Sequence, residues 1–151
     1  MTPHDLMAAA LDEARAAGEA GEVPIGAVVA RQGAIIGRGA NRTMRDNDAT
    51  THAEMVAIRD ASRALGSWHL EGCTLVVTVE PCAMCAGAIV LARVDRVIFG
   101  AWDEKAGMAG SVADLLRHPK LNHRPEVMAG VREDECAALV RDFFRTRRPV
   151  R

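Results

Sequence analysis

The sequence has no hydrophobic run long enough to cross a bilayer. Its longest uncharged apolar stretch, CAMCAGAIVLA, covers only residues 82–92 of 151, against the roughly 20 residues a spanning helix needs. It has no internal repeat, low-complexity tract or linker-like segment, so residues 1–151 are expected to form one domain. It has no excess of either charge: 19 basic and 20 acidic side chains leave a net charge of −1, and the global balance makes no case for a nucleic-acid partner. It has no secretory pattern at its start, where Asp5, Asp12, Glu13 and Arg15 interrupt any apolar core. The expected location is therefore the cytoplasm. There the few cysteines, 4 in all, suggest metal binding or catalysis before disulfides.

What is present is an ordinary globular composition, 49% hydrophobic and 26% charged. The charge is unevenly spread, with a basic end, RDFFRTRRPVR. That end suits either phosphate contacts or a solvated helix terminus whose arginines complement the helix dipole.

Leu6, Ala10, Ala14 and Ala17 keep a helical period that Gly18 and Gly21 are expected to stop. VPIGAVVAR and AIIGRGAN are β-like runs around Gln32-Gly33, which predicts a hairpin. HAEMVAIRDASRAL predicts an amphipathic helix ending near Gly66, with Thr50 and Thr51 as candidate N-caps. TLVVTVE predicts a central strand, CAMCAGAIVLA an apolar helix, and RVIFGA a further strand. DEKAGMAGS reads as a loop, PEVMAGV as a last strand, and residues 132–147 as a closing helix. Five strands interleaved with helices predict an α/β fold: a three-layer α/β/α sandwich with a central mixed five-stranded sheet.

Cys82 and Cys85 follow Pro81, expected in the first turn of the apolar helix. On spacing alone they fit a redox dithiol, part of a structural zinc knot or part of a catalytic metal site. His52 and Glu54, at the start of another helix, favour the last. Side chains two apart on a helix point nearly opposite ways, so both reach one centre only if it lies off the helix end. Two helix N-termini would then aim at one point, and their dipoles favour thiolates. One imidazole and two thiolates suit zinc with a fourth position open to water. Cys73, Cys136 and His69 are conceivable fourth ligands of a closed site, but none has the spacing for it, and both cysteines read as core thiols. Glu54 is the candidate general acid and base beside that water.

His52-Ala53-Glu54 followed by Pro81-Cys82-Ala83-Met84-Cys85 is the H-x-E…P-C-x-x-C signature that already defines the zinc nucleobase deaminases. Beyond it, GEVPIGAVV, RVIFGAWDEKAGMAGS, NHRPEV and DECAALVRDFFRTRR carry the resemblance over residues 22–148. The chain resembles the bacterial tRNA-specific adenosine deaminases of the cytidine and deoxycytidylate deaminase superfamily. The resemblance implies a cytidine deaminase-like fold and hydrolytic conversion of adenosine to inosine at the wobble position of a tRNA anticodon by a zinc-activated water. It implies one Zn²⁺ per subunit on His52, Cys82 and Cys85, proton transfer by Glu54, and a homodimer acting on the anticodon stem-loop. It assigns Asn41 to the base edge, the Ala53 backbone N–H to a base hydrogen bond, Asp103 to the nucleotides around the target, and Phe144 and Arg147 to RNA contacts. Trp102 departs from the pattern, since some relatives carry arginine there; a tryptophan could stack on a base. His118, Lys120, His123 and Arg124 are further candidates for phosphate contacts. Two other readings stand beside this one. A deaminase of free guanine, cytosine or a nucleoside would share the metal motif without needing the basic end. An RNA-binding module with a merely structural zinc would not depend on Glu54.

Overall fold

The computed structural model describes residues 1–147; the last part of the arginine-rich end, residues 148–151, lies outside them. The elements are α1 (Pro3–Glu19), β1 (Gly26–Arg31), β2 (Ala34–Ala40), α2 (Ala53–Leu65), β3 (Cys73–Val79), α3 (Ala83–Leu91), β4 (Arg96–Ala101), β5 (Glu126–Met128) and α4 (Glu133–Arg147). The sheet runs in the order β2-β1-β3-β4-β5. β1 is antiparallel to β2 and to β3, whereas β3, β4 and β5 are parallel. The sheet is mixed, as the element order predicts.

Strand alternation builds two cores. Val28, Val76 and Ile98 face α1 and α4, packing with Leu6, Met7, Leu11 and Cys136. Their neighbours Val29, Val77 and Phe99 face the other way, onto Ala53, Ala57, Ala86 and Ile89 of α2 and α3. Because β3 is buried on both faces, it reads as a continuous apolar run. The result is helix, sheet, helix.

Three features position the site. The hairpin turn takes positive φ at both central residues, 51° at Gln32 and 78° at Gly33, the type I′ geometry that matches strand twist. α2 lies directly on the β2 backbone: a Cβ at Gly39 would stand 2.2 Å from the Ala53 carbonyl oxygen, and one at Gly37 2.6 Å from that of Ala57. The parallel β3 and β4 are joined through α3, which places the start of that helix at the carboxyl edge of the sheet. Open α/β sheets build their sites at this edge.

Some boundaries differ from the sequence-based expectation, each for a local reason. Gly18 lies inside α1, which runs on to Glu19. Neither threonine caps α2: Thr50 and Thr51 bond back to Asp48, and His52 takes the cap position. Pro81 precedes the cap residue Cys82 and so stands just outside α3. β5 is only three residues long; Pro125 before it has no N–H to donate, and Gly130 after it turns the chain with φ 81°. Arg132, with φ 52°, is left-handed and cannot belong to α4.

Candidate active site

His52 and Cys82 occupy the N-cap positions of α2 and α3, and neither makes a side-chain cap hydrogen bond. Both side chains point into the space between the helix starts. Cys85, one turn into α3, joins them there. The His52 Nδ1 atom lies 3.5 Å from the Cys82 sulfur and 3.6 Å from that of Cys85. The ligand atoms of all three lie within 4.8 Å of one another. The donor set fits zinc: one imidazole nitrogen and two sulfurs converge, leaving a fourth tetrahedral direction for water. A hydrogen bond from the Cys85 thiol, then one from His52, holds Cys82 well below the ordinary thiol value, and the same sharing raises His52. Cys82 is therefore the sulfur favoured as thiolate, the form that binds metal, whereas its hydrogen bond to Cys82 and its burial hold the Cys85 thiol well above the ordinary value. The closed alternatives are not assembled. Cys73 and Cys136 are core thiols, and the His69 ring lies against Glu71 at 3.1 Å.

Glu54 stands on the first turn of α2, only 4% exposed. Burial pushes its carboxyl up to about 7, against the opposing pull of its own backbone N–H and of His52. A nearby dication would favour the carboxylate again.

Next to these groups is a pocket of about 130 Å³ whose lining includes Asn41, Ala53, Glu54, Glu80, Asp103 and Ala106. Drug-sized ligands fill several hundred Å³, so this pocket suits a single ring system. Asn41 Nδ2 reaches the Val23 carbonyl oxygen at 3.5 Å, and its Oδ1 is buried without a hydrogen-bond partner among the described residues. Ala53 is the first residue of α2, where backbone N–H groups have no intrahelical acceptor. Asp103 stands on the far wall, but its carboxylate is used on its own turn, accepting from the backbone N–H groups of Lys105 and Ala106 at 3.1 and 3.2 Å.

A groove of about 630 Å³, sharing Ile25, Val79, Asp103 and Ala106 with the pocket, runs past Trp102 and Phe144. Trp102 is 47% exposed and meets Phe99 edge-on, with ring centroids 4.9 Å apart. Phe144 is 45% exposed. Arg147 does not line the pocket or the groove; its guanidinium lies 4.1 Å above the Phe143 ring. Of the other basic candidates, His123 is tied to the Val94 carbonyl oxygen at 2.6 Å and Arg124 to that of Leu121 at 2.9 Å.

Two buried acids escaped the sequence reading. Glu22 accepts from the backbone N–H groups of Met44 (3.0 Å) and Arg45 (2.7 Å) and from the Arg45 guanidinium (3.2 Å). Glu80, 3% exposed, accepts from Asp103, Ala109 and Ser111. Burial raises the Glu80 carboxyl, but the hydrogen bonds, led by the Ser111 hydroxyl, outweigh it and hold it below the ordinary value. The one available signal was an acid ending each apolar or glycine-flanked run, in GEVPIG and LVVTVEPC.

The zinc-binding region of cytidine and deoxycytidylate deaminases matches residues 1–101. The chain is 50% identical over 146 residues to the tRNA-specific adenosine deaminase of Bacillus subtilis, covering 96% of this chain and 91% of that one. It is 49% identical over 143 residues to the tRNA-specific adenosine deaminase of Agrobacterium fabrum, covering 95% and 94%. A structure solved for A-to-I editing by tRNA:A34 deaminases at the wobble position superposes with a TM-score of 0.86 at 47% identity, over 89% of this chain and 98% of that one. A guanine deaminase from Nitrosomonas europaea superposes with a TM-score of 0.81 at 25% identity, over 94% and 84%. With its zinc donors assembled between two helix starts and this similarity running along nearly its whole length, the chain belongs to the cytidine and deoxycytidylate deaminase family, on the branch of the tRNA-specific adenosine deaminases.

Proposed function

We propose that this chain is a zinc-dependent tRNA adenosine deaminase that converts adenosine to inosine at the wobble position of an anticodon. The observation that carries the reading is local. A buried glutamate stands beside an N,S,S donor set, at a ring-sized pocket whose lining includes Asn41, an amide whose buried oxygen has no hydrogen-bond partner among the described residues. The choice of RNA substrate is supported by half-identical relatives that act on tRNA.

His52, Cys82 and Cys85 would hold the metal. When bound, zinc supplies a Lewis acid that makes a water nucleophilic near neutral pH. Glu54 accepts a proton from the water that attacks C6 of adenine. It passes this proton to the ring nitrogen N1, then carries the proton of the new C6 hydroxyl to the C6 amino group, which leaves as ammonia as the C6 carbonyl forms. One water is consumed and one ammonia released, so Glu54 returns to its starting state. Asn41 Oδ1 offers an acceptor to an N–H on the base edge, and the Ala53 backbone N–H offers a donor. Asp103 shapes the opposite wall. The target base enters alone, because an anticodon loop allows it to be splayed out cheaply. Its neighbours fall along the groove of Trp102 and Phe144, where aromatic faces accept any base. Arg147 contributes charge at the far end of α4.

We read residues 1–151 as one deaminase domain that works in the cytoplasm, where its tRNA substrate is found. Among the described residues no helix is long and apolar enough to cross a membrane. We also propose a homodimer built on α3. That helix is apolar throughout, yet Leu91 is 70% exposed and a Cβ at Gly87 would meet nothing within 4 Å. A second copy laid on this face would bury it. The particle mass in solution tests this: twice the chain mass supports the dimer, and a monomer overturns it.

Inosine formation in an anticodon stem-loop RNA with adenosine at the wobble position tests the activity. Inosine at that position is expected. An untouched RNA together with turnover of free guanine or cytosine would favour a free-base deaminase of the kind whose fold this chain shares.

A further inference from the structure

Glu80 touches no reacting atom in the chemistry above, yet it is one of the most heavily bonded side chains in the molecule. Its Oε1 accepts from the Asp103 N–H at 3.0 Å and from the Ser111 hydroxyl. Its Oε2 accepts from the N–H groups of Ala109 at 2.9 Å and Ser111 at 3.1 Å. The backbone repeats the tie: Glu80 N–H donates to the Ala101 carbonyl oxygen and Met108 N–H to that of Pro81, each at 2.8 Å. Gly107 presses against the carboxylate so closely that a Cβ there would stand 2.2 Å from it. Loop 102–111 is therefore wrapped around one acidic side chain that immediately precedes the Pro81-Cys82 turn.

The loop's other face is the substrate side. Asp103 and Ala106 line the pocket, and Trp102 and Lys105 line the groove. Four donors converge on two oxygens, an arrangement only a carboxylate satisfies; a glutamine would set an NH₂ group against at least one N–H.

We propose that Glu80 is a positioning residue for the substrate. It locks the wall formed by loop 102–111 onto the turn that carries Cys82 and Cys85, fixing the distance between the seated base and the metal donors. The proposal rests on the deaminase reading above. It separates two tasks that share one short stretch of chain, with Cys82 and Cys85 holding metal and Glu80 holding the substrate wall.

The test compares Glu80→Gln and Gly107→Ala with the unsubstituted protein, using the stem-loop RNA, zinc content and thermal melting. For the fluorescence comparison the variants and their reference all carry Trp68→Phe, so that Trp102, the one tryptophan left of 2, reports on the loop. Both should lower kcat/KM by about 10- to 100-fold, the scale of a misplaced substrate, chiefly through a higher KM. Zinc stoichiometry should stay unchanged and Trp102 emission should shift to the red as the loop frees itself. Gly107→Ala leaves the charge in place, so its agreement with Glu80→Gln would assign the effect to the loop contact. An unchanged KM, with kcat falling only in step with the folded fraction, would overturn the proposal. So would loss of zinc in proportion to loss of activity. Should Glu80→Gln fail to fold, Ser111→Ala removes only the hydroxyl donor and runs the same comparison on a smaller scale. If the unsubstituted protein leaves the RNA untouched, the deaminase reading fails by itself, while zinc content and Trp102 emission still decide whether Glu80 holds the loop.

Discussion

Helix α1 is capped by Thr2, whose hydroxyl accepts from the Asp5 N–H at 3.1 Å while the Asp5 carboxylate accepts from the Thr2 N–H at 2.9 Å; α2 and α3 have His52 and Cys82 at the cap, which make no side-chain cap hydrogen bond. The first arrangement is a capping box, with two donors satisfied reciprocally. Forgoing a cap costs roughly 1 kcal/mol at each helix, and here it is forgone at the two helices whose cap residues could hold a metal ion. The support comes from further off. Glu22 stiffens the approach to α2 by holding Met44 and Arg45, and Glu80 stiffens the approach to α3 by holding loop 102–111. The same local position thus serves stability at one helix and chemistry at two, with buried carboxylates making up part of the difference.

The sharpest way to break the contrast is to delete a donor. Cys85→Ala should abolish both stoichiometric zinc and detectable deamination, as read by metal analysis and inosine formation. Glu54→Gln comes next. It should lower kcat by about 10²–10⁴, the range for a general acid–base group, while zinc binding persists; retained turnover would remove Glu54 from its proton-transfer role. Glu22→Gln should lower the melting temperature at pH 7 by weakening the approach to α2. Burial alone would raise the Glu22 carboxyl, but the N–H groups of Met44 and Arg45 and the Arg45 guanidinium outweigh it and hold it below the ordinary 4.5. Its stabilisation is therefore complete above about that pH and lost as pH falls through the lower folded value. The melting difference between Glu22→Gln and the unsubstituted chain should then shrink in acid, and a difference independent of pH would refute this account. Smallest is Thr2→Ala, which should cost about 1 kcal/mol in thermal or denaturant melting and leave kcat/KM unchanged.

Element order and the metal donors were legible in the sequence because both are written locally, in strand alternation, helical period and the spacing of His52, Glu54, Cys82 and Cys85. The caps were less legible. Thr50 and Thr51 have the right chemistry for α2, but Asp48 claims both, and the metal-facing His52 takes the cap position. Glu22 and Glu80 were not legible, since each acts on backbone donors 22 to 31 residues away that no local pattern pairs with it. Asp103 was placed at the pocket by resemblance, while the use of its carboxylate on its own turn is visible only in the folded chain.

Glu80 also bears on the order in which the polypeptide can mature during synthesis. All three candidate zinc donors lie within the first 85 residues to be synthesised, and the match to the family's zinc-binding region ends at residue 101. The side-chain partners of Glu80 arrive only with residues 103–111. A nascent chain that has emerged from the ribosome only as far as residue 101 would hold a complete donor set beside an acid with no loop to bind. Metal capture can therefore precede closure of the substrate wall, and a truncation that keeps every ligand would still leave the pocket open on one side.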